Sequence, residues 1–347
     1  MSYKGLLFLE DTTIVKELNQ ERMAFDDNRL LPALLGSHNE HLSLLEKAFD
    51  VQIHHRGNEL TIVGRKTDAH RVRDILNILW DKLQSGGHVD TQTVEAALRF
   101  SLADKDEKIH APAPANLKGF ADTKVQITVR KKSITPRSPM QASYIEMMQE
   151  KEAVFGIGPA GTGKTYLAVA QAVALFEQEK IERIILSRPA VEAGENLGFL
   201  PGDLKEKIDP YLRPLYDALY DTMGTEKAEK RILSKDIEIA PLAFMRGRTL
   251  SNAFVILDEA QNTTSMQMKM FLTRLGEGSR MVITGDPTQV DLPHGEKSGL
   301  LESIDILKDV PEVGVTRFST GDVVRSRLVS KIVGAYERRD EENRKGK

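Results

Sequence analysis

Cysteine is absent from this sequence of 347 residues. Its absence excludes disulfide bonds, zinc sites built on thiolates and a cysteine nucleophile. The sequence also lacks an apolar run long enough to span a membrane as a helix. Residues 1–4 do not show the start of a secretory signal. Together these absences predict a protein of the reducing cytoplasm.

Neither sign of charge is in clear excess. The 48 Lys and Arg residues face 51 Asp and Glu residues, which gives a formal net charge of -3. This balance does not by itself indicate a nucleic-acid partner, although a local basic patch can be hidden in a neutral total. Charged residues make up 29% of the chain and hydrophobic residues 40%, as in ordinary soluble proteins. The length allows two domains.

A glycine-rich loop is the most informative stretch of the chain. It runs Gly158-Pro-Ala-Gly-Thr-Gly-Lys164-Thr165 and reads G-x-x-x-x-G-K-T. The apolar run Ala153–Ile157 predicts a buried strand before it, and apolar spacing predicts a helix over residues 165–179. This order of strand, loop and helix is the context of a P-loop, whereas a turn that only caps a helix does not need the complete motif.

Each residue type in this loop has a part in binding a triphosphate. Glycine has no Cβ, so the backbone can wrap closely around phosphate, and the loop amides direct partial positive charge at it. Lys164 is predicted to reach the β- and γ-phosphates, and Thr165 to hold Mg²⁺. The predicted ligands are therefore ATP and Mg²⁺. The residues predicted to surround the phosphates are Gly158, Pro159, Ala160, Gly161, Thr162, Gly163, Lys164 and Thr165.

A second motif follows roughly ninety residues downstream of the loop. The apolar strand Ala253–Leu257 runs into Asp258-Glu259-Ala-Gln-Asn262, which is a Walker B pattern. Asp258 is predicted to hold Mg²⁺, and Glu259 to polarise the attacking water. An acid pair after a strand is weak by itself, but its place behind a complete P-loop makes the assignment specific.

Further segments are predicted to contact the nucleotide. Gly285-Asp286-Pro-Thr-Gln289 resembles the γ-phosphate sensor of superfamily 1 helicases, so Asp286 and Gln289 are candidates to report hydrolysis. Gln141 occupies the position, upstream of the P-loop, from which helicase-like ATPases grip the adenine edge. Tyr144 follows one helical turn later and either stacks on the base or packs. Arg325 is the candidate arginine for transition-state charge, or else pairs with surface acids.

Residues 1–103 predict a small α+β domain. Strands are predicted at 6–9, 51–55 and 60–63, and helices at 28–35, 40–49 and 67–83, with one more helix over 90–103. The order β-α-α-β-β-α resembles a KH domain, whose G-x-x-G loop clamps a nucleic-acid backbone. Here that loop is Gly36-Ser-His-Asn39, without the second glycine. An RNA-binding module and a protein-binding or packing domain both remain open.

Residues 104–137 predict a linker that contains Ala-Pro-Ala-Pro and then becomes basic. Its basic residues either contact a phosphate backbone or form a solvated charge run. They are Lys118, Lys124, Arg130, Lys131, Lys132 and Arg137. The ATPase domain is predicted over 138–336 and a disordered charged tail over 337–347. Within the ATPase domain, the loop of residues 192–203 lies where helicase-like folds contact nucleic acid.

Taken together, these motifs resemble the PhoH-like protein family. The resemblance also rests on Arg-Gly-Arg-Thr249 and on Asp-Val-Val-Arg325, and it covers nearly the whole chain. It implies a bacterial cytoplasmic ATPase linked to RNA metabolism, with one α/β RecA-like P-loop NTPase domain: a mostly parallel sheet with helices on both faces. Relatives are associated with the YbeY-type endoribonuclease and ribosomal RNA processing. The family continues His-Pro where this chain has Ser326-Arg327, so Arg327 is a second candidate for the role of Arg325.

Only the 58 residues 290–347 follow Gln289, fewer than a second RecA-like lobe needs. This predicts a homo-oligomer, such as a hexameric ring, in which Arg325 or Arg327 of one subunit completes the ATP site of its neighbour. The favoured function is an RNA-stimulated ATPase with helicase or translocase activity. An ATP-driven switch or scaffold for a nuclease or ribosomal partner is the alternative. Glu259 and the sensor motif argue against a kinase. The residues before the ATPase domain lack the acidic cluster of a nuclease domain, so no nuclease activity is predicted.

Overall fold

The computed structural model describes residues 18–103, 120, 126–129, 132–189, 204–293 and 295–324, together with positions 329, 332, 335 and 339. The chain divides into two compact units, Met1–Leu102 and Ala103–Lys347. No helix in the described part of the chain combines the length and apolar character needed to cross a membrane.

The first unit is an antiparallel sheet of three strands packed against helices. The strands are β1 (Leu18–Ala24), β2 (Gln52–Arg56) and β3 (Glu59–Arg65), and the helices are α1 (Leu31–Leu35), α2 (Glu40–Phe49), α3 (Lys66–Gln84) and α4 (Thr91–Ala103). The strands lie in the order β1-β3-β2. Apolar residues at helical spacing on α3, including Val72, Ile75 and Leu79, are fully buried and form much of this core.

Most elements of this unit were predicted, with ends shifted by a few residues. Helix α2 begins and ends where the sequence predicted. Helix α1 begins at Leu31 rather than at 28, with Pro32 in its first turn, a position that suits proline. Strand β1 was not predicted, because its described side chains are half-buried or exposed and give no apolar alternation. The strand predicted at 6–9 lies outside the described residues.

The turn between α1 and α2 is formed as predicted. Gly36, His38 and Asn39 all have positive φ angles, of 73°, 51° and 61°. Asparagine tolerates this left-handed conformation better than most residues, so the turn persists without a second glycine.

The second unit begins with a short antiparallel hairpin, β4 (Ile127–Val129) and β5 (Lys132–Ile134). The sequence placed these residues in a linker. However, Ile127, Val129 and Ile134 are buried in the core of the second unit.

Six parallel strands form the main sheet of this unit, in the order β11-β6-β10-β9-β7-β8. They are β6 (Ala153–Ile157), β7 (Arg183–Arg188), β8 (Ile237–Pro241), β9 (Ala253–Leu257), β10 (Arg280–Gly285) and β11 (Val313–Arg317). The helices are α5 (Pro139–Glu150), α6 (Lys164–Glu177), α7 (Leu204–Met223), α8 (Thr225–Leu233), α9 (Ser265–Leu272) and α10 (Gly299–Leu307).

Helices flank both faces of this sheet. Successive side chains of a strand point to opposite faces. Accordingly, Val154 and Phe254 join a core that includes α6, whereas Phe155 and Val255 join a separate core that includes α9 and α10. Strands buried on both faces explain the continuous apolar runs in the sequence. The predicted α/β class is confirmed, and the arrangement is consistent with a P-loop NTPase-like domain.

Candidate functional site

The glycine loop joins β6 to α6 at the edge of the sheet where all the parallel strands end. Ligands of open α/β sheets bind at this edge. Gly158 has a φ of 144°, and a Cβ there would lie 2.5 Å from the carbonyl oxygen of Phe318. Gly163, immediately before α6, has a φ of 83°. A side chain at either position would be strained, so the loop conformation depends on glycine.

Lys164 is buried and turned back onto the loop. Its Nζ donates hydrogen bonds to the carbonyl oxygens of Gly158 at 2.7 Å and Pro159 at 2.8 Å. Burial lowers the pKa of Lys164 from its usual 10.5, against the opposing attraction of Asp286, Asp258 and Glu259. The ammonium group thus sits inside the loop, among acids that converge on it from two other strands.

The hydroxyl of Thr165 lies beside the carboxylate of Asp258. Thr165 Oγ1 donates to Asp258 Oδ1 at 2.6 Å, and Thr284 Oγ1 donates to the same oxygen at 2.6 Å. Asp258 Oδ2 receives no hydrogen bond from the described residues. A hydroxyl and a carboxylate in contact at the mouth of the glycine loop match the oxygen ligands that Mg²⁺ takes.

The number of acidic and histidine side chains near Thr165 and Asp258 indicates which kind of metal site fits here. No group of three or more His, Asp or Glu side chains in the described ranges could hold a metal alone. Mg²⁺ commonly binds through one or two protein groups and completes its octahedron with phosphate oxygens and water. Thr165 and Asp258 therefore suit a cation that arrives with a phosphate, rather than a resident metal.

Glu259 lies at the end of β9 with its carboxylate held on both sides. Its backbone has a φ of 53°. Oε1 lies 3.4 Å from a guanidinium nitrogen of Arg188, at the end of β7. Oε2 accepts a hydrogen bond from the side-chain amide of Gln261. Glu259 is thus oriented by two neighbours, neither of which the sequence assigned a role.

Gln261 connects the acid pair to the loop after β10, and its side chain is buried. Its Nε2 also donates to the carbonyl oxygen of Gln289 at 3.1 Å, and its Oε1 accepts from the backbone N–H of Asp286 at 3.0 Å. The Asp286 carboxylate accepts from the N–H and hydroxyl of Thr288. The predicted sensor residues thus lie next to the acid pair. Gln261 connects the two, and the sequence analysis did not assign it a role.

Gln141 and Tyr144 lie on α5, behind the glycine loop. Gln141 Nε2 donates to the carbonyl oxygen of Thr162 at 2.9 Å, and its Oε1 accepts from the N–H of Arg137 at 2.7 Å. Gln141 therefore contacts the glycine loop, and its adenine role stays a prediction. Tyr144 is fully buried, and its ring packs against that of Phe318 at an interplanar angle of 82°. Of the two roles open for Tyr144, the structure shows packing.

Some predicted residues lie outside the described part of the chain. These are Arg325, Arg327, the loop of residues 192–203 and most of the basic linker. Val324, one residue before Arg325, donates its backbone N–H to the carbonyl oxygen of Gly161 at 2.9 Å. The chain therefore reaches the glycine loop just before the candidate arginine.

Comparisons with known proteins agree on one family. Residues 133–337 match the family model described as PhoH-like protein. A PhoH-like protein of Mycobacterium tuberculosis is 48% identical over 312 residues, which cover 90% of this chain and 86% of the relative. One of Bacillus subtilis is 46% identical over 308 residues, covering 89% and 94%. Protein PhoH of Escherichia coli is 45% identical over 205 residues, 58% of each chain.

Proposed function

Since the chain belongs to the PhoH-like protein family, we propose that its second unit is a RecA-like P-loop ATPase that hydrolyses ATP with Mg²⁺. The observation that carries the proposal is the contact of Thr165 with Asp258 beside the buried Lys164. Two neighbouring segments, the loop after β6 and the end of β9, bring a cation, a hydroxyl and a carboxylate to one point, as phosphoryl transfer requires. Neither a helix cap nor a core packing role explains that convergence.

The residues of this site have separate roles in the proposed reaction. Lys164 and the loop amides hold the triphosphate, while Thr165 and Asp258 hold the cation. Bound Mg²⁺ supplies charge neutralisation for the phosphate oxygens. Glu259 orients the water and accepts its proton. Asp286 and Gln289 lie in the loop that follows β10, which is between β6 and β9 in the sheet, so they can respond when the γ-phosphate leaves.

The pKa of Lys164 provides a test of ATP binding. The protonated form binds phosphate, and its pKa in the free protein is lowered by burial. ATP raises that pKa again, so binding takes up a proton at alkaline pH. We expect ATP affinity to fall with rising pH, beginning below the 10.5 of an ordinary lysine. Above the free-protein pKa the fall is about tenfold per pH unit.

Isothermal titration of ATP and Mg²⁺ between neutral and alkaline pH measures this profile. Lys164→Arg is the matched variant, because a guanidinium stays charged across the range. It should give weaker binding with a flat profile. An equal fall in Lys164→Arg and the wild type would contradict the role of Lys164.

We further propose that single-stranded RNA is the partner that stimulates hydrolysis. A short turn after β8 supports this, at the same edge of the sheet. Phe244 is 53% exposed, and Arg246 is exposed two residues later. An aromatic face with an arginine beside it is the combination that binds single strands.

This turn is anchored at both ends. Met245 is fully buried. The Arg248 guanidinium forms two hydrogen bonds of 2.7 Å with the Glu238 carboxylate. Arg274 in turn donates to the carbonyl oxygen of Arg248 at 3.1 Å. The anchors hold the backbone while Phe244 and Arg246 stay in solvent.

Replacing Phe244 and Arg246 by alanine should weaken RNA binding about 5- to 150-fold, since stacking on an aromatic residue contributes about 1–3 kcal/mol per base. Hydrolysis without RNA should not change, because neither residue belongs to the glycine loop or to the acid pair. Fluorescence anisotropy with a labelled oligouridylate measures the affinity. Leu233→Ala is the control, since Leu233 is 83% exposed but precedes β8 at the opposite edge. Unchanged affinity in the double variant would exclude this turn as an RNA contact.

The first unit supports a KH-like RNA-binding module. Its described elements run β1-α1-α2-β2-β3-α3, an order that resembles a KH domain although β1 is not the strand predicted at 6–9, and the turn at Gly36–Asn39 has the left-handed backbone of a tight loop. His54, His55 and Arg56 are exposed along β2. These features favour RNA over a packing role.

The alternative is an ATP-driven switch that recruits a YbeY-type endoribonuclease or a ribosomal partner without unwinding RNA. It predicts partner binding that depends on ATP and no strand separation. We also propose a cytoplasmic homo-oligomer in which Arg325 or Arg327 completes a neighbouring ATP site. Among the described residues Arg188 is the arginine in contact with Glu259, and it forms an ion pair with that carboxylate.

A further inference from the structure

Arg188 and Glu259 form an ion pair between the ends of neighbouring strands. Strand β7 pairs with β9 in parallel, and the backbone N–H of Asp258 donates to the carbonyl oxygen of Ser187 at 2.9 Å. This register sets Arg188 beside the acid pair. Its guanidinium lies 3.4 Å from Glu259 Oε1, with the Arg188 side chain 22% and the Glu259 side chain 33% exposed.

The ion pair engages Oε1, one of the two oxygens of the Glu259 carboxylate, which is the group proposed to act on water. Gln261 donates a hydrogen bond to the other oxygen, Oε2. The Gln261 side chain is itself held by hydrogen bonds with the backbone of Gln289 and Asp286. Both oxygens of the carboxylate are thus turned toward protein partners, Oε1 toward Arg188 and Oε2 toward Gln261. These two contacts hold the Glu259 side chain in one orientation.

The order of strands places Arg188 between Glu259 and the exposed turn after β8. In the sheet, β7 has β9 on one side and β8 on the other. Arg188 is paired in register with Pro241, just before the turn that carries Phe244 and Arg246. Adjacent strands lie about 4.8 Å apart. The end of β7 is therefore the next strand end to that turn along this edge of the sheet.

We propose that Arg188 restrains Glu259 and that a phosphate group of bound RNA draws Arg188 away, so that RNA switches hydrolysis on. The inference rests on the proposed ATPase function and adds its regulation. A guanidinium matches phosphate as well as carboxylate, and both present oxygens in the same forked geometry. RNA phosphate therefore competes directly with Glu259 for Arg188.

Release has a defined chemical result. Glu259 accepts a proton from water as the water oxygen bonds to the γ-phosphorus. The bond from that phosphorus to the β–γ bridging oxygen breaks, which gives ADP and inorganic phosphate, and the proton then passes from Glu259 to solvent. Arg188 is a positioning residue in this scheme, because it acts through Glu259.

Phosphate release by Arg188→Ala and Arg188→Gln, at saturating ATP with and without oligouridylate, tests the inference. Without RNA, both variants should turn over about 5-fold faster than the wild type or more, a coupling of ordinary size. Adding oligouridylate should then give little further increase. Damage to the fold does not raise turnover, so this gain separates release from a structural effect. Arg183→Ala, at the start of the same strand, is the control and should behave as the wild type.

Two results overturn the inference. One is loss of turnover in the Arg188 variants while ATP affinity is retained, because Arg188 then assists hydrolysis, as it would if it moved to the γ-phosphate. The other is RNA stimulation equal to that of the wild type. The proposed function fails differently: a wild type that does not bind ATP excludes the ATPase. A wild type that hydrolyses ATP without responding to RNA excludes RNA, while the rate of Arg188→Ala without RNA still decides whether Arg188 restrains Glu259.

Discussion

Replacing Glu259 by glutamine lowers ATP turnover about 10²- to 10⁴-fold, the range associated with loss of a general base. Glutamine keeps the size of the side chain but cannot take a proton from water. The residues proposed to hold the triphosphate, Lys164 and the loop, are untouched. ATP affinity should therefore stay close to that of the wild type.

Single-turnover hydrolysis and equilibrium ATP binding, measured on the same preparation, separate these effects. Glu277→Gln is the matched control, since Glu277 is an exposed acid in the loop before β10. A fall of less than tenfold, or a parallel loss of affinity, would remove Glu259 from the proposed role.

Replacing Arg325 by alanine should lower turnover about 10³- to 10⁵-fold, as removal of an arginine finger does. In the proposed homo-oligomer, part of the loss is restored by mixing. A Lys164→Ala subunit cannot use ATP, but it offers an intact Arg325 to a neighbour whose glycine loop is intact. Turnover of mixed Arg325→Ala and Lys164→Ala proteins should exceed the sum of the separate activities.

The same experiment assigns the arginine to its subunit. Val324 contacts Gly161 within one chain, so the residue before Arg325 lies at its own loop. Mixtures no more active than their components would place the arginine in its own subunit and contradict the shared site. Arg327→Ala in the same mixtures shows which of the two arginines is needed.

Most of the α/β unit was predictable because its signals are local. The buried strands Ala153–Ile157 and Ala253–Leu257 have the predicted limits, since apolar runs bounded by glycine or acids mark strands covered on both faces. Lys164 and Thr165 follow from their motif, and Asp258 from its place after a strand. The structure brings these three together.

The neighbours of the site were not predictable in the same way. Arg188 and Thr284 meet the acid pair because β7 and β10 lie on either side of β9, and the order of parallel strands is not written in any one segment. Tyr144 was left open because helical spacing alone does not say which face of α5 is covered. Strand β1 was not predicted because it is defined by its pairing with β3, and its sequence has no alternation of apolar residues.

Steady-state hydrolysis of ATP by the wild type, with Mg²⁺ and with or without oligouridylate, tests the central claim most directly. The proposed function predicts phosphate release that rises with RNA and is abolished in Lys164→Ala, whereas Lys151→Ala, on a surface lysine bonded to Pro311, retains it. Equal release by Lys164→Ala and the wild type, or no release by the wild type, would contradict the assignment of this chain as a P-loop ATPase.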